Sequence, residues 1–384
     1  MDSPSALDAF LQNSRETRTA QAVHAPGGSM RWQVQNSFWQ GVPWECALHL
    51  HVPNHARRTD VCVLEITGGP PNGVDLARAG LMASSIGVPV AVLFDIPNQP
   101  LWEMREDDLI AHTFRMRLET GDPSWPLLFP MVDAAHGAMD LLEHQGFESF
   151  VVTGASKRGW TAWLTGITAA QRTCGLAPRV FDNLDMMRQM PAQLEAWGTY
   201  SPKIDDYTRR ELQETVSTEE GRQLVRDVDP YFGLSRVQCP VMLFHGSNDA
   251  YWTVDAARHY WDTIPGQPRV LTYPNEDHGV GDRAWDIPGL TGFLDGVTGG
   301  FELPSFDAGM DGQWRSSQPA QVQCWRAEGP NNWFADSTWT VVDQQSGTSG
   351  AFEYRPGSDP VAYLLVAQFE RCLLGSIPCV IRPA

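Results

Sequence analysis

Along this chain the spacing of apolar positions changes character several times. Near the start, Ala6, Leu7, Phe10 and Leu11 mark one face of a helix expected over residues 3–20. Trp32–Trp39 (WQVQNSFW) and Glu45–Pro53 (ECALHLHVP) then alternate as half-buried strands do, around a Gly-Val-Pro turn. Val61–Thr67 (VCVLEIT) and Pro89–Pro97 (PVAVLFDIP) are apolar almost throughout, which predicts strands covered on both faces. Leu128, Met131, Val132, Ala135, Met139 and Leu142 recur near a helical period, so 126–145 reads as a helix. A strand running into Ser156 comes next, followed by a helical segment continuing over Thr161–Ala170 and a strand expected over Arg179–Leu184 (RVFDNL). Strands over 241–245 and 269–273 bracket a helix expected near 254–262. This strand-helix rhythm predicts the α/β class, with a mostly parallel sheet covered by helices.

Two stretches break the rhythm. Residues 185–238, rich in Met, Trp, Tyr and charge, fall between two predicted core strands and read as a helical insertion above the strand ends, placed to roof a site there. After Gly300 the strand-like pieces Val322–Trp325, Trp339–Val342, Ala351–Tyr354 and Pro360–Phe369 are separated by Gly, Pro, Asn and Ser. They predict a small all-β, sandwich-like domain over 301–384, beside an α/β domain over 1–300.

Composition narrows the functions. The 384 residues carry a formal charge of −18, which argues against a general nucleic-acid surface and against an anionic membrane surface. No run approaches a membrane-spanning length. The first residues lack a basic start and an apolar leader core, so the sequence as written reads as cytoplasmic, or as periplasmic or secreted if a leader has been removed. Seven cysteines form no metal-ligand spacing, and buried free thiols are expected, with a Cys372–Cys379 pair across a terminal turn as the alternative. There is no HExxH and no glycine-rich nucleotide loop; His49 and His51 share a strand face without an acidic companion. No metal or cofactor is expected, and the partner sought is a small-molecule or peptide substrate.

The chemistry gathers where strands stop. Phe150–Trp160 (FVVTGASKRGW) brings a β-branched strand to a small glycine-flanked serine and then a helix, the way an elbow lifts a nucleophile out of a sheet. Val241–Asp249 (VMLFHGSND) ends in an acid and Arg269–Gly279 (RVLTYPNEDHG) in a histidine. A serine hydroxyl needs a base, and the base needs an orienting acid. Ser156 is therefore the candidate nucleophile, His278 the base and Asp249 the acid; His245, Asp255 and Asp277 are the rivals. The backbone N–H of Lys157 and a donor at Gly69, in the loop before Pro70, are the candidate oxyanion donors. Glycine comes third after the serine, at Gly159, with Arg158 in the second position. Lys157 and Arg158 either pair with acids, for which Asp95, Asp182 and Asp185 are near strand ends, or read an anionic substrate group. Trp160, Trp197, Tyr251 and Trp252 are candidate pocket walls.

Four segments, Gly154–Thr161 (GASKRGWT), Pro97-Asn98-Gln99-Pro100, Phe244–Asp249 (FHGSND) and Asp277-His278-Gly279, resemble the PhoPQ-activated pathogenicity-related proteins. The resemblance implies an α/β-hydrolase fold with a C-terminal β-rich domain, and it puts nucleophile, acid and base on Ser156, Asp249 and His278. The elbow also resembles that of glucuronoyl esterases, which implies that Lys157 helps stabilise an oxyanion and that the substrate is an ester bearing a carboxylate. Acyl transfer from an ester, cleavage of an amide or peptide (an aminopeptidase included), and a binding protein on the same fold remain the three readings.

Overall fold

A computed structural model describes residues 5–23, 30–280 and 288–383. His24 and residues 3–4 of the expected first helix lie outside them.

The strands are β1 (Thr19–Val23), β2 (Met30–Trp39), β3 (Val42–His51), β4 (Val61–Ile66), β5 (Val90–Phe94), β6 (Ser149–Ala155), β7 (Thr173–Arg179), β8 (Met242–Gly246) and β9 (Arg269–Tyr273). Laterally they run β1-β2-β3-β5-β4-β6-β7-β8-β9, with β5 through β9 parallel and β1 to β3 joining antiparallel at one edge. Every residue of β4, β5 and β8 is buried. Alternation of side chains across a strand explains why. Cys62, Leu64, Ala91, Leu93 and Leu243 pack into one apolar layer, whereas Val61, Val63, Val90, Val92 and Phe244 pack into another.

Helices cover both faces. On the first lie α1 (Ala6–Ser14), α3 (Glu106–Thr120), α4 (Leu128–His144) and α5 (Lys157–Thr168), and on the second α2 (Gly73–Ile86). The insertion between β7 and β8 contains α6 (Met186–Trp197), the short α7 (Asp205–Thr208) and α8 (Glu219–Val228). It sends Ile204, Leu212, Leu224, Val228 and Leu234 into the first layer. A last helix, α9 (Pro288–Val297), adds Leu290, Phe293 and Leu294 to the second layer.

The C-terminal region is β-rich: β10 (Phe306–Ala308), β11 (Gln313–Glu328), β12 (Thr340–Ala351), β13 (Val361–Gln368), β14 (Leu373–Gly375) and β15 (Cys379–Ile381). These antiparallel strands continue the central sheet where β14 pairs with β9, Gly375 opposite Val270. One apolar cluster joins Val63 and Phe244 to Trp314 and Leu365, so the two regions share a core.

Several boundaries differ from the expected ones. The first helix stops at Ser14 and a 3₁₀ turn leads into β1, because the alternating Thr19–Val23 segment pairs with the edge of β2. The strand expected over Arg179–Leu184 is instead Thr173–Arg179; Val180 takes a φ of 44° and ends it. The helix near 254–262 is two 3₁₀ turns, Ala256–His259 and Trp261–Thr263, interrupted at Tyr260. Beyond Ala351 the Phe352–Tyr354 segment is not strand. Cys372 and Cys379 are free thiols, as are the other five cysteines. No helix of the described residues is long and apolar enough to cross a membrane.

Candidate active site

Strand β6 ends at Ala155, and α5 begins at Lys157. Between them Ser156 adopts φ 57° and ψ −123°, a conformation a side chain resists at about 1–3 kcal/mol. Close packing holds it there. The Ser156 N–H donates to the Arg179 carbonyl at 2.9 Å. A Cβ on Gly154 would stand 2.6 Å from the Arg158 carbonyl oxygen, and one on Gly159 would stand 2.8 Å from that of Arg179. Thus the third position after the serine, and not the second, is where helix and sheet touch, which leaves room for Arg158. Arg179 is itself fixed. Its guanidinium, 1% exposed, grips both oxygens of buried Glu65 at 2.6 and 2.8 Å and donates to Thr153 at 2.7 Å. The clamp ties β4, β6 and β7 together directly under the elbow.

Two loops complete the arrangement. After β8, Asp249 accepts the Tyr251 N–H on Oδ1 at 2.9 Å, leaving Oδ2 to His278 Nδ1 at 2.7 Å. After β9, His278 Nε2 lies 2.8 Å from Ser156 Oγ. The Asn248 N–H donates to the Glu276 carbonyl at 2.9 Å and locks the loops to each other. With Nδ1–H donating to Asp249, Nε2 is the acceptor for the serine hydroxyl. The rivals lie elsewhere. His245 is buried, 3.8 Å from Asp182; Asp255 faces Arg258 at 3.6 Å; Asp277 accepts the Gly279 N–H.

The cations beside the serine are paired, but not with the acids expected. Arg158 donates to Glu106 Oε1 and Oε2 at 2.7 and 2.9 Å and to the Ile96 carbonyl at 2.5 Å. Lys157 Nζ lies 2.8 Å from Asp107 and 3.4 Å from Glu106. Asp182 instead accepts from Tyr260, and Asp185 faces Arg188. Burial pushes the Glu106 carboxyl up, but Arg158, with help from Gln99 and Lys157, outweighs it and holds the group at about 2. Asp107 also accepts from the hydroxyls of Tyr207 at 3.0 Å and Tyr251 at 3.4 Å. The acidic run Glu106-Asp107-Asp108, opening a helix where negative charge is favoured, was the available signal for these partners.

Ser156 opens on two sides. One is an apolar cavity walled by Trp160, Tyr251 and Trp252 together with Phe114, Phe181 and insertion side chains such as Val228. Trp160 stacks on Phe181 at 4.9 Å and spends its indole N–H on the Val228 carbonyl at 2.6 Å. Three polar atoms in this wall, Asn183 Oδ1, Gln213 Oε1 and Trp252 Nε1, are buried without a hydrogen-bond partner among the described residues. The other side is a polar groove holding Gly69 and Arg158, with Asp75, Arg78, Asp95, Arg105 and His278. As the first residue of α5, Lys157 has a backbone N–H with no intrahelical acceptor. The Tyr251 ring lies 4.2 Å from the His278 ring. Trp197 is not part of either wall; it packs on Trp333 and donates to the Asn332 carbonyl at 3.0 Å.

Among solved structures, acetyl xylan esterase 1 from Thermoanaerobacterium sp. JW/SL YS485 superposes with a TM-score of 0.52 at 13% identity, covering 76% of this chain and 92% of that one. This likeness concerns the fold. An acetyl xylan esterase from Paenibacillus sp. R4 gives a TM-score of 0.49 at 14% identity, over 72% and 90% of the two chains. Autocrine proliferation repressor protein A of Dictyostelium discoideum is 29% identical over 298 residues, 72% of this chain. The match spans 59% of that relative's length. The model of the PhoPQ-activated pathogenicity-related proteins matches residues 3–336, and the chain belongs to that family.

Proposed function

We propose that the protein is a serine hydrolase that cleaves carboxylic esters through an acyl-enzyme. The observation that carries the reading is the unbroken relay from Asp249 through His278 to Ser156, with contacts of 2.7 and 2.8 Å, on an elbow held in a strained conformation. His278 takes the hydroxyl proton as Ser156 Oγ bonds to the substrate carbonyl carbon, and Asp249 steadies the imidazolium. The oxyanion is met by the Lys157 N–H and by a donor at Gly69. The carbon–oxygen bond to the alcohol then breaks, and the alcohol departs with the proton from His278. A water molecule gives one proton to His278 while its oxygen adds to the acyl carbon; collapse releases the acid and returns the proton to Ser156.

A carboxylate-bearing ester, the finer reading, would meet Arg105 in the groove, because Lys157 and Arg158 already have carboxylate partners. The test is labelling with a fluorophosphonate probe, mapped by mass spectrometry, alongside hydrolysis of p-nitrophenyl butanoate. Ser156→Ala is expected to remove both. Full labelling or turnover in that variant would overturn the proposal.

A further inference from the structure

Resting on that reading, we infer that the two sides of the scissile bond are recognised by chemically opposite surfaces. An apolar acyl group enters the cavity under the 185–238 insertion, and a polar alcohol lies in the groove between Gly69 and Arg105. The substrate class is thus an ester of a bulky apolar or aromatic acid with a hydroxyl-rich or charged alcohol.

The cavity is built for the acyl side. Phe114 meets the Trp160 ring edge-on at 5.9 Å, and Trp252 meets Phe181 at 6.1 Å, so the wall is a set of interlocked rings with little freedom to collapse. Met190, Val216 and Leu224 close it from the insertion. Its few unpartnered polar points, Asn183 Oδ1, Gln213 Oε1 and Trp252 Nε1, accommodate a hydrogen-bonding substituent on an otherwise apolar group.

The assignment of sides follows from the proton. Whatever leaves must take its proton from His278 Nε2, so the alcohol oxygen lies on the histidine's side of the serine. His278 lines the polar groove and is absent from the cavity wall, whereas Ser156 and Lys157 line both. The groove offers polar contacts of both signs. The Arg105 side chain is exposed and pairs with no described residue, and Asp95, whose carboxyl burial pushes up, makes no side-chain hydrogen bond to any described residue. Such an alternation suits hydroxyls and small charges and penalises an alkyl chain.

The experiment compares kcat/KM in two series on the full chain. With p-nitrophenol as the common alcohol, the 3-phenylpropanoate is expected to exceed the acetate by about tenfold or more, since its ring buries apolar surface in the cavity. With 3-phenylpropanoate as the common acid, the glyceryl ester is expected to exceed the hexyl ester. Val216→Trp, at a wall position 36% exposed, should shrink the phenylpropanoate-to-acetate ratio. Ratios that are flat or inverted in either series would overturn the assignment of sides. Fluorophosphonate labelling of Ser156 separates the two failures. Labelling together with flat ratios sinks this inference alone, and absence of labelling sinks it together with the serine reading.

Discussion

Arg158 and Glu106 face each other as a two-pronged pair, with Nη1 donating to Oε2 at 2.9 Å and Nη2 to Oε1 at 2.7 Å. The pair fastens the first turn of α3 to the first turn of α5, two residues after the serine. It therefore converts a surface helix start into a wall of the site.

Glu106→Gln tests this fastening. The variant is expected to lose about 1–2 kcal/mol in urea unfolding at pH 7, discounted because the carboxylate is partly exposed. Because the folded carboxyl sits at about 2 against an ordinary 4.5, its contribution is present above pH 4.5 and fades as pH falls toward 2. The gap between wild type and variant should narrow over that window.

Gly159→Ala tests the elbow contact. Its new methyl would press on the Arg179 carbonyl at 2.8 Å, backbone against side chain, with nothing flexible to yield. A loss of about 1–3 kcal/mol is expected, with slower fluorophosphonate labelling, as the serine is tilted. Gly73→Ala, in the first turn of α2 with open space around the new atom, is the control and should leave the melting temperature unchanged or slightly raised.

His136 gives a pH signature far from the serine. Burial first, and then the charges of Arg172 and Arg18, hold it down at about 3, and Arg172 donates to its Nδ1 at 3.1 Å. An unfolded histidine takes up a proton below about 6.5 while the folded one stays neutral, so stability is lost as pH falls from 6.5 toward 3. His136→Asn, which cannot titrate, should escape about 2–3 kcal/mol of the wild-type decline between pH 6.5 and 4.5. Denaturant titrations at three pH values across that interval would check this.

Much of this architecture was legible in the chain because the parallel strands are buried on both faces and leave unbroken apolar runs. That Ser156, Asp249 and His278 meet could be anticipated for the same reason, since each follows such a run. What the pattern hid is instructive. β7 contains Gly175 and Pro178, so it carries too little β-forming character to stand out, and the apolar Val180-Phe181 pair drew the expected boundary past its end. The partners of Lys157 and Arg158 were hidden because Glu106 and Asp107 start a helix some fifty positions earlier, and local periodicity carries no record of which helix start meets which strand end. Trp197 had the composition of a pocket wall, but its neighbour is Trp333, from a segment more than a hundred residues away.

The insertion leaves the sheet after β7 and returns at β8, the very next strand in the sheet. Its contour can therefore change in length and side chains while the strands that carry the serine, the acid and the histidine keep their register. A change in the walls of the apolar cavity can therefore begin in that detour, with the contacts from Asp249 through His278 to Ser156 left as they are.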